Sequence, residues 1–168
     1  MSLFNIKDET LRTAASEGMD AFVGAVVDAI EEGVGGGLSA DTMPKLSSEQ
    51  ITLLGYVALR DEMMDGGSIQ LIHNGWGPFF FHNPFDAAIR QWGLVELCRL
   101  LRRMKKNYQR YHEEIEADMS DEEFMALYER MPVFDEYDDD FVTHEEEWTD
   151  AVAHYLDENL DKFVNIVE

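Results

Sequence analysis

Cysteine is almost missing from this sequence: Cys98 is the only one in 168 residues. A lone thiol forms no internal disulfide and cannot build a zinc site from several thiolates, and its scarcity fits a reducing compartment. Cys98 itself reads as a small apolar core residue. Long hydrophobic runs are also lacking, since no stretch approaches the roughly 18 apolar residues that a spanning helix needs. The N-terminus MSLFNIKDET has neither the basic head nor the apolar run of a signal peptide. A cytoplasmic protein with no membrane span is therefore expected. Positive charge is scarce as well, with 13 basic residues against 35 acidic ones and a net charge of −22.

That imbalance is not spread evenly. Residues 1–111 carry 14 acidic and 11 basic residues, whereas residues 112–168 carry 21 acidic residues against only Arg130 and Lys162. The chain thus reads as one domain, residues 1–168, with a near-neutral part up to 111 and an acidic part after it. A field of this sign repels nucleic acid, anionic membranes and phosphorylated substrates, and it attracts basic proteins. Direct nucleic-acid and membrane binding are disfavoured, and a basic partner is favoured.

What is present is helical periodicity. From Asp8 to Glu32, Leu11, Ala15, Met19, Phe22, Val23, Val26, Val27 and Ile30 recur at helical spacing, and Gly33 with the following glycines should stop that helix. Ser47 with Gln50 forms a capping box for a second helix, which Gly66-Gly67 ends. Ser68 to His73 then leads to an Asn74-Gly75 turn and an aromatic passage, Trp76 to Phe85, interrupted by Pro78 and Pro84. The passage reads as an ordered loop at about 74–85, or as a short hairpin within 77–85. Pro84 can open a helix to about Trp92, Gly93 can bend the chain, and Leu94, Leu97, Leu101, Met104, Tyr108, Tyr111 and Ile115 share the face of a central helix. Its far side holds Arg99, Arg102, Arg103, Lys105, Lys106 and Arg110, a strip read as internal counter-charge for the acidic part. Ser120 with Glu123 is another capping box, and Thr143 with Glu146 is a third that would open a last helix reaching about Leu160. These elements predict an all-α, multi-helix fold.

Candidate chemistry is thin. Asp135 to Glu146 has the length of a calcium loop, but it places Tyr137 third and Asp140 where the turn needs glycine. No two histidines stand one helical turn apart to share a metal, and no nucleophile elbow or phosphate loop is present. No metal, cofactor or catalytic residue is assigned. The acids of the last helix are more informative. At ~100° per residue, Glu146, Glu147, Asp150, Asp157, Glu158 and Asp161 fall opposite Trp148, Val152 and Tyr155, with Asp138, Asp139 and Asp140 clustered just before them. Such a stripe spans ~23 Å at ~1.5 Å per residue, and duplex DNA carries one phosphate charge per ~1.7 Å of axis, so several acidic segments on one face could approach its density.

Gly66, Gly67, Gln70, Asn74 and Gly75, followed by Ala87-Ala88 and Gly93, resemble the pattern of a family of small bacterial acidic proteins. In that family a Gly-Gly, Gln and Asn-Gly pattern links two helices. The namesake of the family is an acidic, all-helical, dimeric DNA mimic that covers the DNA-binding surface of a helix-turn-helix transcription regulator. The resemblance spans roughly residues 47–165 in helix order. It implies a non-enzymatic regulator, a basic DNA-binding partner and a possible homodimer, with the five motif residues holding the fold and satisfying backbone groups in a turn. Two other functions are expected to compete with it. One is an antitoxin or immunity protein that neutralises a basic toxin; the other is an enzyme with a site near His73, Asn74, Trp76, His82 and Asn83.

Overall fold

The computed structural model describes residues 3–168 and is all-α apart from one small sheet. The chain divides into two units, residues 1–57 with 147–168, and residues 58–146. The divisions fall inside two long helices, α3 (Ser48–Asp65) and α9 (Asp135–Glu158), each of which contributes to both units. Among the described residues no helix is long and apolar enough to cross a membrane.

The first unit begins with a strand the sequence did not signal, β1 (Phe4–Lys7). It pairs in parallel with β2 (Val164–Val167), Phe4 opposite Val164 and Lys7 opposite Val167. Four residues each are too few for an alternating pattern to register, but Ile6 and Val164 are buried. The single helix expected from Asp8 to Glu32 is two, α1 (Asp8–Glu17) and α2 (Met19–Val34). Gly18 separates them at φ 128°, a backbone angle that residues bearing a β-carbon rarely adopt. The apolar stripe continues in register across the break, so periodicity alone conceals it. Nor does Gly33 end α2. It lies one residue inside, where a β-carbon would run into the Phe4 ring, and Gly35 is the left-handed terminator.

The Ser47–Gln50 capping box forms as expected, with Ser47 N–H donating to Gln50 Oε1 at 2.9 Å and Gln50 N–H to Ser47 Oγ at 3.2 Å. The Gln50 amide also reaches the carbonyl of Phe163 at 2.8 Å, and the buried Tyr56 hydroxyl meets Thr149 Oγ1 at 2.7 Å. These bonds satisfy polar groups inside a core of Val23, Val26, Ile30, Leu53, Val152, Leu156 and Phe163, all fully buried. Trp148 and Val152 are buried on α9, and the Tyr155 hydroxyl donates to Glu49 at 3.0 Å.

The second unit holds α4 (Gly67–His73), α5 (Gly77–His82), α6 (Phe85–Gln91), α7 (Val95–Glu116) and α8 (Asp121–Arg130). The passage expected to be a loop at 74–85 is therefore largely helical, neither loop nor hairpin. Pro78 sits in the first turn of α5, where a missing N–H costs nothing, but six residues are too few to show a period. Phe81 stacks on Tyr108 at 4.7 Å, Phe80 meets Phe85 edge-on at 5.1 Å, and a β-carbon at Gly77 would collide with the Tyr108 ring. α7 is the expected central helix, burying Leu97, Cys98, Leu101, Met104, Tyr108 and Ile115. Burial also raises the Cys98 thiol pKa, in keeping with its reading as a core residue. The Ser120–Glu123 box caps α8. The third box does not form, because Thr143 lies mid-helix in α9 and turns its hydroxyl back to the Asp139 carbonyl at 2.8 Å. α9 starts eight residues earlier, with Asp135, Glu136 and Asp138 in the first turn, where carboxylates oppose the positive end of the helix dipole.

Candidate acidic interaction surface

The expected surface is carried almost entirely by α9, but its members are not equivalent. Asp138, Asp139 and Asp140 are consecutive helical residues, so they point about 100° apart and cannot form one cluster. Asp138 turns inward: its Oδ1 accepts from the Ser68 N–H at 2.7 Å and from the Ser68 hydroxyl. Burial raises its carboxyl pKa, and the two Ser68 bonds only partly offset that. Asp140 is tied to Arg103 at 2.6 Å, while Asp139 is exposed. Within the second unit, Asp139 and the exposed Glu146 stand seven residues apart, which returns them to nearly the same line on the helix.

In the first unit Glu147, Asp150, Asp157, Glu158 and Asp161 are all exposed. Asp150 and Asp157 are again seven residues apart, hence on one line and about 10.5 Å apart along the axis. His154, one turn after Asp150, places Nδ1 2.9 Å from the Asp150 carbonyl and 3.6 Å from its carboxylate. That carbonyl contact first, then the charges of Asp150, Glu158 and Asp157, raises the His154 pKa. Asp161 lies not on α9 but on a short 3-10 turn, Leu160–Lys162, so the acidic stripe of the helix ends at Glu158.

Folding brings in acids that linear segmentation diluted. The first unit joins residues 1–57 to the chain end and so contains 15 acidic and 4 basic residues, whereas the second contains 20 and 9. Glu17, Asp20, Asp28 and Glu32 on or beside α1 and α2 belong to the first unit and are exposed. In the second unit the basic strip of α7 finds carboxylates, Arg99 with Glu96, Arg102 with Asp86 at 3.0 Å, and Arg103 with both Glu136 and Asp140. Of these, only Arg103 reaches into the strongly acidic stretch after residue 111.

The Gly66–Gly75 motif proves to organise carboxylates. A β-carbon on Gly66 would strike the Gln70 side chain, and one on Gly67, at φ 78°, would strike the Asp138 carboxylate. The amides of Gln70 and Asn74 do not serve the backbone, as expected from turn chemistry. They donate to Glu62 at 2.9 and 3.0 Å, and Gln70 also reaches Asp65 at 3.0 Å. Gly75, at φ 86°, makes the turn after α4. Tyr128 donates to the Gly66 carbonyl at 2.8 Å, and burial beside Asp138, Asp65 and Glu62 pushes its pKa up to about 12.

The residues of the enzyme alternative do not converge. His73 bonds the Ile115 carbonyl at 2.8 Å and packs on Phe124, and Asn74 serves Glu62. Trp76 packs on Phe79 and Phe80. His82 and Asn83 border a cleft with Phe80 and Lys105 that His73, Asn74 and Trp76 do not line.

Residues 44–159 match the DMP19-like protein family, a span that includes the Gly66–Gly75 motif and the whole of α9. The chain belongs to that family. It is 27% identical over 128 residues, 75% of its own length and 77% of the relative's, to the DNA mimic protein DMP19 of Neisseria meningitidis serogroup B. The DMP19-like match spans neither β1, α1 and α2 nor β2.

Proposed function

We propose that this protein is a non-enzymatic DNA mimic that presents carboxylates in place of phosphates to a basic DNA-binding protein, a helix-turn-helix transcription regulator being the type of partner. The observation that carries this reading is the exposed Asp150–Asp157 line in a unit with 15 acidic residues and 4 basic ones. The two carboxylates stand about 10.5 Å apart along the helix axis, a fixed anionic row on an exposed face. Glu147 and Glu158 flank that line, and Asp161 extends the charge beyond the helix. Trp148, Val152 and Tyr155 fix the backbone that carries them, so little ordering is lost on binding. The DNA-mimic name of the relative agrees with this reading. A cytoplasmic location, where such regulators act, is part of this proposal.

The test uses the DNA-binding protein captured with this chain from the source cell. Affinity is expected to fall steeply between low and physiological salt, because attractions between solvent-exposed charges are screened as ionic strength rises. Salt-independent binding would contradict the reading. Capture of a toxin nuclease as the sole partner would replace it with the immunity-protein alternative.

A further inference from the structure

The first unit contains a cleft of about 290 Å³ beside the Asp150–Asp157 line. Its floor is apolar, formed by Ala15 of α1, Met19 and Phe22 of α2, and Ala153 of α9, and Asp150, His154 and Asp157 stand at its rim. Gly18, between α1 and α2, completes the lining. Apolar floor and anionic rim together describe the complement of one kind of group, a cationic head on a long aliphatic stem.

We propose that this cleft is a socket for a single arginine side chain of the basic partner, its stem on Ala15, Met19 and Ala153 and its guanidinium between Asp150 and Asp157. Arginine fits better than lysine, because the guanidinium is weakly hydrated, tolerates an apolar wall, stacks on aromatic faces such as Phe22 and presents several donors to two carboxylates at once. The inference rests on the DNA-mimic reading for the source of the arginine and adds what that reading lacks. A phosphate mimic attracts any cation, whereas a socket selects one and sets the register of the complex. The walls from α1 and α2 lie outside residues 44–159, the span that matches the family.

The probe is N-acetyl-arginine amide, titrated into the intact protein at constant ionic strength while the methyl NMR signals of Ala15, Met19 and Ala153 are followed. Saturable shifts confined to these methyls are expected, with N-acetyl-lysine amide binding at least about threefold more weakly. Two variants check the two halves of the socket. Ala15→Phe fills the floor from an exposed helical position without changing charge, and Asp150→Asn with Asp157→Asn removes the rim without changing shape. Each should abolish the saturable shifts, and persistence in either one overturns the socket. Shifts that do not saturate, or that are equal for the lysine analogue, also overturn it. Displacement of the partner by duplex DNA reads the mimic independently. If DNA displaces the wild-type protein but the arginine titration fails, the socket alone falls. If the titration succeeds but DNA does not displace, the mimic reading falls while the cation site stands.

Discussion

The two units carry the same excess of 11 negative charges, 15 acidic against 4 basic residues in one and 20 against 9 in the other, yet they treat it differently. In the second unit the carboxylates are put to internal use. Asp138 is drawn in against Ser68, Glu62 and Asp65 accept the amides of Gln70 and Asn74, and Asp140 and Glu136 share Arg103. In the first unit Glu147, Asp157, Glu158 and Asp161 face solvent, as does Asp150 beside His154, and among the described residues there Arg12 pairs with Asp8. Equal net charge therefore says little about which surface works. The number of carboxylates left unneutralised and fixed on a rigid helix says more.

The largest test of this contrast reverses charge in the first unit. Asp150→Lys with Asp157→Lys should weaken partner binding about 100-fold or more, because each reversal places a cation against the partner's own basic side chains. The matched pair in the second unit, Asp139→Lys with Glu146→Lys, should cost less by the same binding measurement. An equal loss would erase the distinction between the units.

The next effect concerns stability in the second unit. Gly67→Ala combines a left-handed backbone angle with a collision against the Asp138 carboxylate and should destabilise by about 2–4 kcal/mol in urea unfolding, with little change in partner affinity. Asp138→Ala leaves the Ser68 N–H without its acceptor and should cost about 1–3 kcal/mol.

Asp138→Asn should behave differently. Burial raises the Asp138 carboxyl above its ordinary 3.8, so the folded state holds that proton more tightly than the unfolded state does. As pH rises from 3.8 through the raised folded value, this group subtracts stability, and the loss persists at neutral pH. An asparagine keeps an acceptor for Ser68 without burying a charge. Its stability at pH 7 should equal or exceed wild type, and the difference between the two proteins should vanish below the window. The smallest effect is expected from Arg103→Ala, about 0.5–1.5 kcal/mol, since its ion pairs are half-exposed and its stacking on Tyr137 is modest.

Much of the helix order was legible because long amphipathic segments repeat every 3.6 residues and two capping boxes marked true starts. α7 and α8 were read nearly to their ends for that reason. The failures share one cause, local signals that are compatible with two backbones. Gly18 interrupts a stripe without changing its phase, whereas Gly33, which looks like a terminator, is kept small by the Phe4 ring. Thr143 and Glu146 have capping-box spacing but sit within α9, whose start is encoded by dipole-favoured acids rather than by a cap. The six residues of α5 are shorter than any period can reveal. For the surface, the α9 acids in the first unit were visible by angle alone. The inward turn of Asp138 was not, because it depends on Ser68, 70 residues earlier. The acids of α1 and α2 were overlooked because a count along the chain cannot know that residues 1–57 fold with the chain's end.

The central claim is that these carboxylates occupy the place of DNA phosphates. It is tested most directly by adding duplex DNA to the preformed complex of this protein with its DNA-binding partner and following both by native mass spectrometry. The account predicts mutually exclusive complexes, with DNA displacing the protein stoichiometrically. A stable ternary complex of DNA, partner and this protein would contradict it.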